Sequence, residues 1–343
     1  MRFVNLTNNK SHPIISIMKK ITYNLPPQIT IKENCIYLDI ETTGLSKKRD
    51  RIYLIGLAKC SGITQFFAES LDEESLILQE LLSFIEGCDA IYTYNGTSFD
   101  LPFLNTRLKA DNLPSMPDIK HTDLYISARN LKPVLRSDNI RQRDIEKIMG
   151  IESEDTSDGA MAVKDYFMYL AVKDEDALKR ILLHNYCDLT GLTALTDITI
   201  YDDFFKDPIP YIDTIDVTRG DALSIHAMLK IQVKPDIYFE SPDYSYALNG
   251  YSLDITYVLN DNKGKLYYPN YKDYYYLRVE GYAIHKSIAT YVDKNFRQKA
   301  DLSNCFTLFD AGLIDNNNTK STYPLIKNAI QHSYVSLKNK KES

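Results

Sequence analysis

The order of the apolar runs in the first hundred residues constrains the fold of this chain more than any other feature. Residues 36–40 form a short apolar run, 52–58 a second and 63–68 a third, with Ser61-Gly62 as a tight turn between the last two. Leu76, Leu78, Leu81, Leu82 and Ile85 then recur at helical spacing behind the acidic first turn Asp72-Glu73-Glu74, and 90–94 returns to strand character. The predicted order is βββαβ. Beyond Asn95-Gly96 the pattern is helical, with successive candidates at 101–108, 124–131, 140–149, 163–170 and 177–195. One sheet covered by helices is an α/β layer architecture.

At 343 residues the chain has room for about two domains. Residues 1–33 lack a sustained period and read as an N-terminal leader, and 34–204 hold the α/β domain. Acidic residues and prolines cluster at 202–210, and 205–343 reads as a tyrosine-rich, β-rich α+β domain. There 221–229 is expected to be a helix, 237–240, 244–248, 253–259 and 266–268 strands, Asp261-Asn262-Lys263-Gly264 a hairpin turn, and 284–296 a returning helix. Five cysteines without a CxxC pair argue against a disulfide framework and a structural metal cage. The apolar stretch at 13–18 is too short for a secretory core or a membrane span, so a cytoplasmic protein without a membrane partner is expected. Forty basic against forty-six acidic side chains, a net charge of -6, mean that any polyanion must be met locally.

The residues richest in chemistry are Asp39-Ile40-Glu41-Thr42-Thr43-Gly44-Leu45. On a strand, positions i and i+2 share a face, so Asp39 and Glu41 leave the first strand side by side. Two such carboxylates repel unless a cation lies between them, and oxygen donors suit Mg²⁺ or Mn²⁺ better than zinc. A bare Asp-x-Glu pair is also compatible with a polar strand terminus. In Tyr92-Thr93-Tyr94-Asn95-Gly96-Thr97-Ser98-Phe99-Asp100 a strand leads through Asn-Gly into a helix opened by Asp100, which is either a ligand or a helix cap. Further on, His184 and Asp188 stand four apart, beside the stripe of Leu178, Leu182, Leu189 and Leu192, while Tyr186 lies about 200° away from Asp188. This pair reads as a site or as a surface pair beside a core face.

Together these strings resemble the motifs of the DnaQ-like, or DEDD, superfamily of 3′ to 5′ exonucleases, within the ribonuclease-H-like fold. His121-Thr122-Asp123-Leu124-Tyr125, the string from Asp144 to Ile151, 155–159 and 166–170 look like its YprB-type branch, so the resemblance covers roughly 34–200. It implies that Asp39, Glu41, Asp100 and Asp188 hold two divalent ions, Mg²⁺ or Mn²⁺, for phosphodiester hydrolysis on single-stranded or frayed DNA or RNA. His184 becomes the candidate general base, standing four residues before the last aspartate where the subgroups place tyrosine at minus four or histidine at minus five. Thr42, Gly44, Leu45, Asn95 and Phe99 are the expected nucleic-acid contacts, with Leu45 and Phe99 against a terminal base. A binding or assembly module that kept the fold without efficient turnover is the alternative, and an endonuclease for branched substrates a third reading.

Two basic groups, Lys47, Lys48, Arg49 and Arg51, then Lys132, Arg136, Arg141 and Arg143, are either phosphate contacts or solvated loops. In the tail, Tyr267, Tyr268, Tyr271, Tyr274, Tyr275, Tyr276 and Tyr282 alternate with Lys265, Lys272, Arg278 and Lys286. That pattern suits a single-stranded nucleic-acid platform or half-buried strands.

Overall fold

The computed structural model describes residues 18–155, 159–314 and 319–340. Residues 1–17 of the expected leader and 156–158 of the 155–159 string lie outside them. Two compact units result, one taking the chain up to Arg129 together with Asn139–Ile198, the other Asn130–Asp138 together with Thr199 onward.

In the first unit the strands are β1 (Lys19–Tyr23), β2 (Cys35–Thr42), β3 (Ile52–Lys59), β4 (Gly62–Phe67), β5 (Ala90–Thr93) and β6 (Lys120–Asp123). The helices are α1 (Glu74–Phe84), α2 (Asp100–Ala110), α3 (Leu124–Leu135, which from Asn130 belongs to the second unit), α4 (Gln142–Ile148), α5 (Gly159–Val172) and α6 (Glu175–Ala194). The sheet order is β1-β4-β3-β2-β5-β6. The meander of β2, β3 and β4 is antiparallel, and β5 and β6 add in parallel on the other side of β2. Strand β1, inside the stretch expected to be a leader, pairs antiparallel with β4 and occupies the sheet edge.

Strand β3 is buried almost from end to end because both faces of the sheet are covered. On one face Ile55, Leu57 and Phe66 pack with Ile77, Leu78 and Leu81 of α1 and Phe103, Leu104 and Leu108 of α2. On the other, Tyr53, Leu54 and Phe67 pack with Tyr166 and Tyr169 of α5 and Leu178, Ile181 and Leu182 of α6. A buried ion pair joins the first helical layer. The Glu74 carboxylate accepts from Arg107 Nε at 2.9 Å and Nη2 at 2.7 Å, and from the Ile52 amide at 2.8 Å.

The second unit holds α7 (Ile198–Lys206), β7 (Ile212–Arg219), β8 (Ala222–Glu240), β9 (Tyr244–Val258), β10 (Lys263–Tyr267), β11 (Tyr274–Leu277), β12 (Tyr282–His285), α8 (Lys286–Ala289), β13 (Arg297–Lys299), β14 (Phe306–Asp310) and α9 (Tyr323–Lys340). Its sheets run β7-β8-β9, β10-β14 and β12-β11-β13. The helix expected at 221–229 is the start of β8. Leu223, Ile225, Ala227 and Leu229 are buried while the side chains between them face outward, a period of two that helix-favouring residue types had masked. The strands expected at 244–248 and 253–259 merge into β9, which continues through Gly250 at φ +56°. The helix expected at 284–296 shrinks to the single turn of α8 between β12 and β13. The turn at 261–264 is present, with Asp261 and Asn262 both at positive φ. Three interior tyrosines spend their hydroxyls on α9: Tyr257 donates to Leu325 O at 2.8 Å, Tyr246 meets Ser333 Oγ at 2.9 Å and Tyr244 meets His332 Nδ1 at 2.8 Å.

Arg107→Met removes the buried partner of the Glu74 carboxylate, leaving it the Ile52 amide and the part-exposed Arg51, and should destabilise the first unit by about 3 kcal/mol, measured by urea unfolding. The double variant Arg107→Met, Glu74→Met should recover most of that loss. A single variant as stable as the parent would show that the pair holds nothing.

Candidate active site

Strand β2 carries Asp39 and Glu41 two residues apart, and β3 skips a residue opposite Glu41 and Thr42, a bulge at the strand end. Helix α2 begins at Asp100 without a side-chain cap on its Phe99 N-cap, so Asp100 is free of the capping role and is buried beside β2. Helix α6, capped by Asp174 accepting from the Asp176 and Ala177 amides, packs on β2 and β3 and brings His184 and Asp188 to the same place. His184 Nε2 lies 3.6 Å from Glu41 Oε1 and 3.6 Å from Asp188 Oδ2. One ligand atom from each of Glu41, His184 and Asp188 falls within 4.8 Å of the others. Asp39 and Asp100 complete the cluster electrostatically: Asp100 raises Glu41, and Glu41, Asp188 and Asp100 raise Asp39.

Burial is the first cause of every carboxyl shift here. It pushes Glu41 up to about 8, opposed by His184 and reinforced by Asp188 and Asp100. It takes Asp100 to about 7 against backbone hydrogen bonds at Asp100 itself and Ile40. Asp39 rises well above the carboxylate range through burial and then the charges of Glu41, Asp188 and Asp100, and Asp188 rises despite His184 and Arg143. For His184 burial acts downward, yet Glu41, Asp188 and Asp155 together raise it. Asp155 Oδ2, 2.7 Å from His184 Nδ1, takes the proton there and leaves Nε2 facing the cluster. Arg143 Nη2 binds the same Asp155 oxygen and stands 3.6 Å from Asp188 Oδ1.

Asn185 is the residue that motif reading passed over. Fully buried next to His184, it donates from Nδ2 to Asp39 Oδ2 at 2.7 Å and accepts at Oδ1 from Gln65 Nε2 at 2.8 Å. Gly56 of β3 makes the room, because a Cβ there would lie 2.0 Å from Asn185 Oδ1. An amide one position after the histidine was the available signal. Gln142 of α4 donates to the Asp188 backbone carbonyl at 2.7 Å, which ties α4 to α6 and leaves the Asp188 carboxylate to the cluster. Tyr186 turns away to pack on Tyr23, with ring centroids 5.0 Å apart.

The expected nucleic-acid contacts divide. Thr42 donates from its hydroxyl to Gly44 O at 2.8 Å, and Gly44 sits against the Asp50 carboxylate, so both shape the loop that leaves Leu45 84% exposed. Asn95, at φ +64°, gives its amide to Asp123 Oδ1 at 2.7 Å, while Thr97 N reaches Asp123 Oδ2 at 3.0 Å. Asp123 thereby folds the turn that delivers Asp100. Phe99 packs partly into the core beside Phe103. Of the basic groups, Arg143 belongs to the cluster, Arg51 is tied to Glu74, Lys47 to Ser98 O, and Arg136 donates within the second unit to Tyr238 O.

A family model of the RNase_H superfamily matches residues 36–200. YprB of Bacillus subtilis (strain 168) is 32% identical over 172 residues, a match covering 48% of this chain and 41% of that relative. Residues 36–200 are a ribonuclease H superfamily domain of the YprB type. Among solved structures, the family B DNA polymerase of Pyrobaculum calidifontis is similar at 12% identity and TM-score 0.42, over 93% of this chain and 47% of that one. Brucella melitensis NrnC with bound Mg²⁺ is similar at 17% identity and TM-score 0.28, over 53% of this chain and 89% of that one. With the family match over 36–200, the mixed sheet and its flanking helices form a ribonuclease-H-like fold, followed by β-rich sheets. Among the described residues no helix is long and apolar enough to cross a membrane.

Two expectations follow for this ribonuclease-H-like domain. Asn185→Ala should lower Mn²⁺ affinity about 10-fold to 100-fold in a calorimetric titration, the usual cost of losing a group that orients a ligand. Unchanged affinity would remove Asn185 from the site. Glu41 and Asp100 have folded pKa values of about 8 and about 7, above the unfolded values. Their stabilising contribution is complete below about pH 4 and is lost as pH rises through about 7 to about 8. The melting temperature in EDTA should accordingly fall between about pH 5 and about pH 8, and saturating Mn²⁺ should remove most of the fall. A midpoint that climbs over this interval in EDTA contradicts the cluster electrostatics.

Proposed function

We propose that this chain is a two-metal-dependent 3′ to 5′ exonuclease that hydrolyses phosphodiester bonds at single-stranded or frayed ends of DNA or RNA. The observation that carries it is the convergence of Glu41, His184 and Asp188 from a strand and a helix to within 4.8 Å. The donor set supports a hard ion: oxygen donors predominate, Glu41 and Asp100 are buried with Asp39 and Asp188 partly so, and their raised pKa values report charge that the protein leaves largely uncompensated. Asp39, Glu41, Asp100 and Asp188 would hold Mg²⁺ or Mn²⁺. Bound ions supply the positive charge that activates water and offsets the charge of a departing 3′ oxygen.

The chain's own groups do the rest. His184, its Nδ1 proton held by Asp155, presents Nε2 to accept a proton from the attacking water. Arg143 pairs with the Asp155 carboxylate and holds it in place against Nδ1, so the tautomer does not drift. Leu45, thrust into solvent beside Glu41, offers an apolar face to a terminal base. The relative's match spans about two fifths of its length, so the domain alone carries this reading.

A single-stranded oligonucleotide labelled at its 3′ end should release labelled mononucleotides with Mg²⁺ or Mn²⁺ and none in EDTA. Asp39→Asn should abolish release, and His184→Ala should slow it by about 10²-fold or more. A circular single strand should survive. Opening of the circle would make the enzyme an endonuclease, and binding without turnover across several divalent ions would leave only the binding module.

A further inference from the structure

The small sheet β12-β11-β13 of the second unit presents two unlike faces. On one, Tyr274 stacks on Tyr268 with centroids 4.3 Å apart and joins the cluster of Ala283, Ala300 and Cys305. Side chains alternate along a strand, so Tyr275 points the other way. The register sets it between Ile284 and Lys299, and the Arg297 guanidinium lies 4.9 Å from its ring centroid. Tyr275 and Ile284 are half-buried and Lys299 is exposed. Arg297 is held in position by the Ala289 carbonyl of α8. Unlike Tyr244, Tyr246 and Tyr257, these aromatics are not spent on α9.

Charge sets the same region apart. Residues 263–299 contain eight lysines and arginines against three acidic residues, a formal +5 within a chain of -6. Lys265 and Lys286 are engaged by Asp243 and Asp273, whereas Lys272, Lys294 and Lys299 stand exposed. Tyr291, in the same segment, is 91% exposed.

We infer that the Tyr275 face is a second binding site for single-stranded nucleic acid, separate from the carboxylate cluster. An unpaired base stacks on the Tyr275 ring, whose other neighbour is the Arg297 guanidinium, and Lys299 meets the flanking phosphate. A duplex keeps its base faces stacked inside and has nothing to lay on the ring; a free phosphate has no base at all. The choice of nucleic acid as the polyanion rests on the exonuclease reading, while the face itself does not.

The full chain in EDTA, with a fluorescein-labelled oligothymidylate, separates the two by fluorescence anisotropy. Without metal, hydrolysis is off and the bare carboxylates of the first unit repel phosphate. Binding is expected, weakened about tenfold by Tyr275→Ala and about tenfold by Lys299→Glu, with a shallower salt dependence in the latter. Tyr275→Phe keeps the ring and retains the parent affinity, which also reports folding. Mononucleotide release with Mn²⁺ from a short oligonucleotide stays unchanged in all three variants. Parent-like affinity in both Tyr275→Ala and Lys299→Glu overturns the inference. So does a change of oligomeric state by light scattering in those variants, which makes the face an interface between copies, or loss of binding to anionic vesicles with oligonucleotide affinity intact. Absence of hydrolysis by the parent chain, with Tyr275-dependent binding preserved, defeats the exonuclease reading and leaves this one standing.

Discussion

Repulsion among buried carboxylates is the constraint around which the first unit is built. With ligand oxygens of Glu41 and Asp188 within 4.8 Å, two full charges at an effective dielectric of ~20 would oppose each other by on the order of 3–4 kcal/mol. A domain is stable by only about 5–15 kcal/mol, so no such cluster persists as an accident of packing. Protons take up part of the repulsion, as the upward shifts of Glu41 and Asp100 record, and His184, which lowers both Glu41 and Asp188, offsets more. Both are replaceable by a cation. The arrangement is therefore poised: the same burial that makes the groups reluctant to ionise makes a divalent ion a better partner than water.

Holding such groups together requires rigid supports, and each one is a covered element. Asp39 and Glu41 ride on β2, flanked by β3 and β5. Asp100 is delivered by a turn that Asp123 folds through the amides of Asn95 and Thr97. Helix α6 contributes His184 and Asn185 and, one turn on, Asp188, so a single packing decision places the candidate base, the amide that bonds Asp39 and a candidate ligand. Gln65 and Gly56 show how far this reaches into the sheet. One donates to Asn185 and the other withholds a side chain so that Asn185 fits.

What was legible in the sequence follows from which forces act locally. The meander and the helices of the first unit were readable because their apolar runs are short, punctuated and buried on both faces. The i, i+2 and i, i+4 spacings put Asp39 with Glu41 and His184 with Asp188 correctly, since those periods are backbone geometry. Asn185 was invisible for the opposite reason: its meaning lies in Gln65 and Gly56, more than a hundred residues away. Edge strand β1 carries few apolar residues and is specified by pairing with β4, not by its own pattern. The 221–229 segment failed because Ala, Leu and Met favour helices, while the long partner β9 imposes a strand. Helix α9 is likewise defined by the tyrosine hydroxyls that bond to it.

The same division explains how an acidic chain can be read as a handler of polyanions. Net charge describes the far field, and at physiological salt that field decays within about 8 Å. Within that range a phosphate near the first unit meets carboxylates that a divalent cation converts from a repulsive to an attractive surface. One near β11 and β13 meets Lys299 and the Arg297–Tyr275 pair, which need no metal. Tyrosine serves both architectures in the second unit because its ring and hydroxyl are separable. Buried with the hydroxyl bonded to α9 it is a structural post, and half-exposed beside an arginine it is a stacking surface. Burial and partner, not abundance, decide which of the two a given tyrosine is.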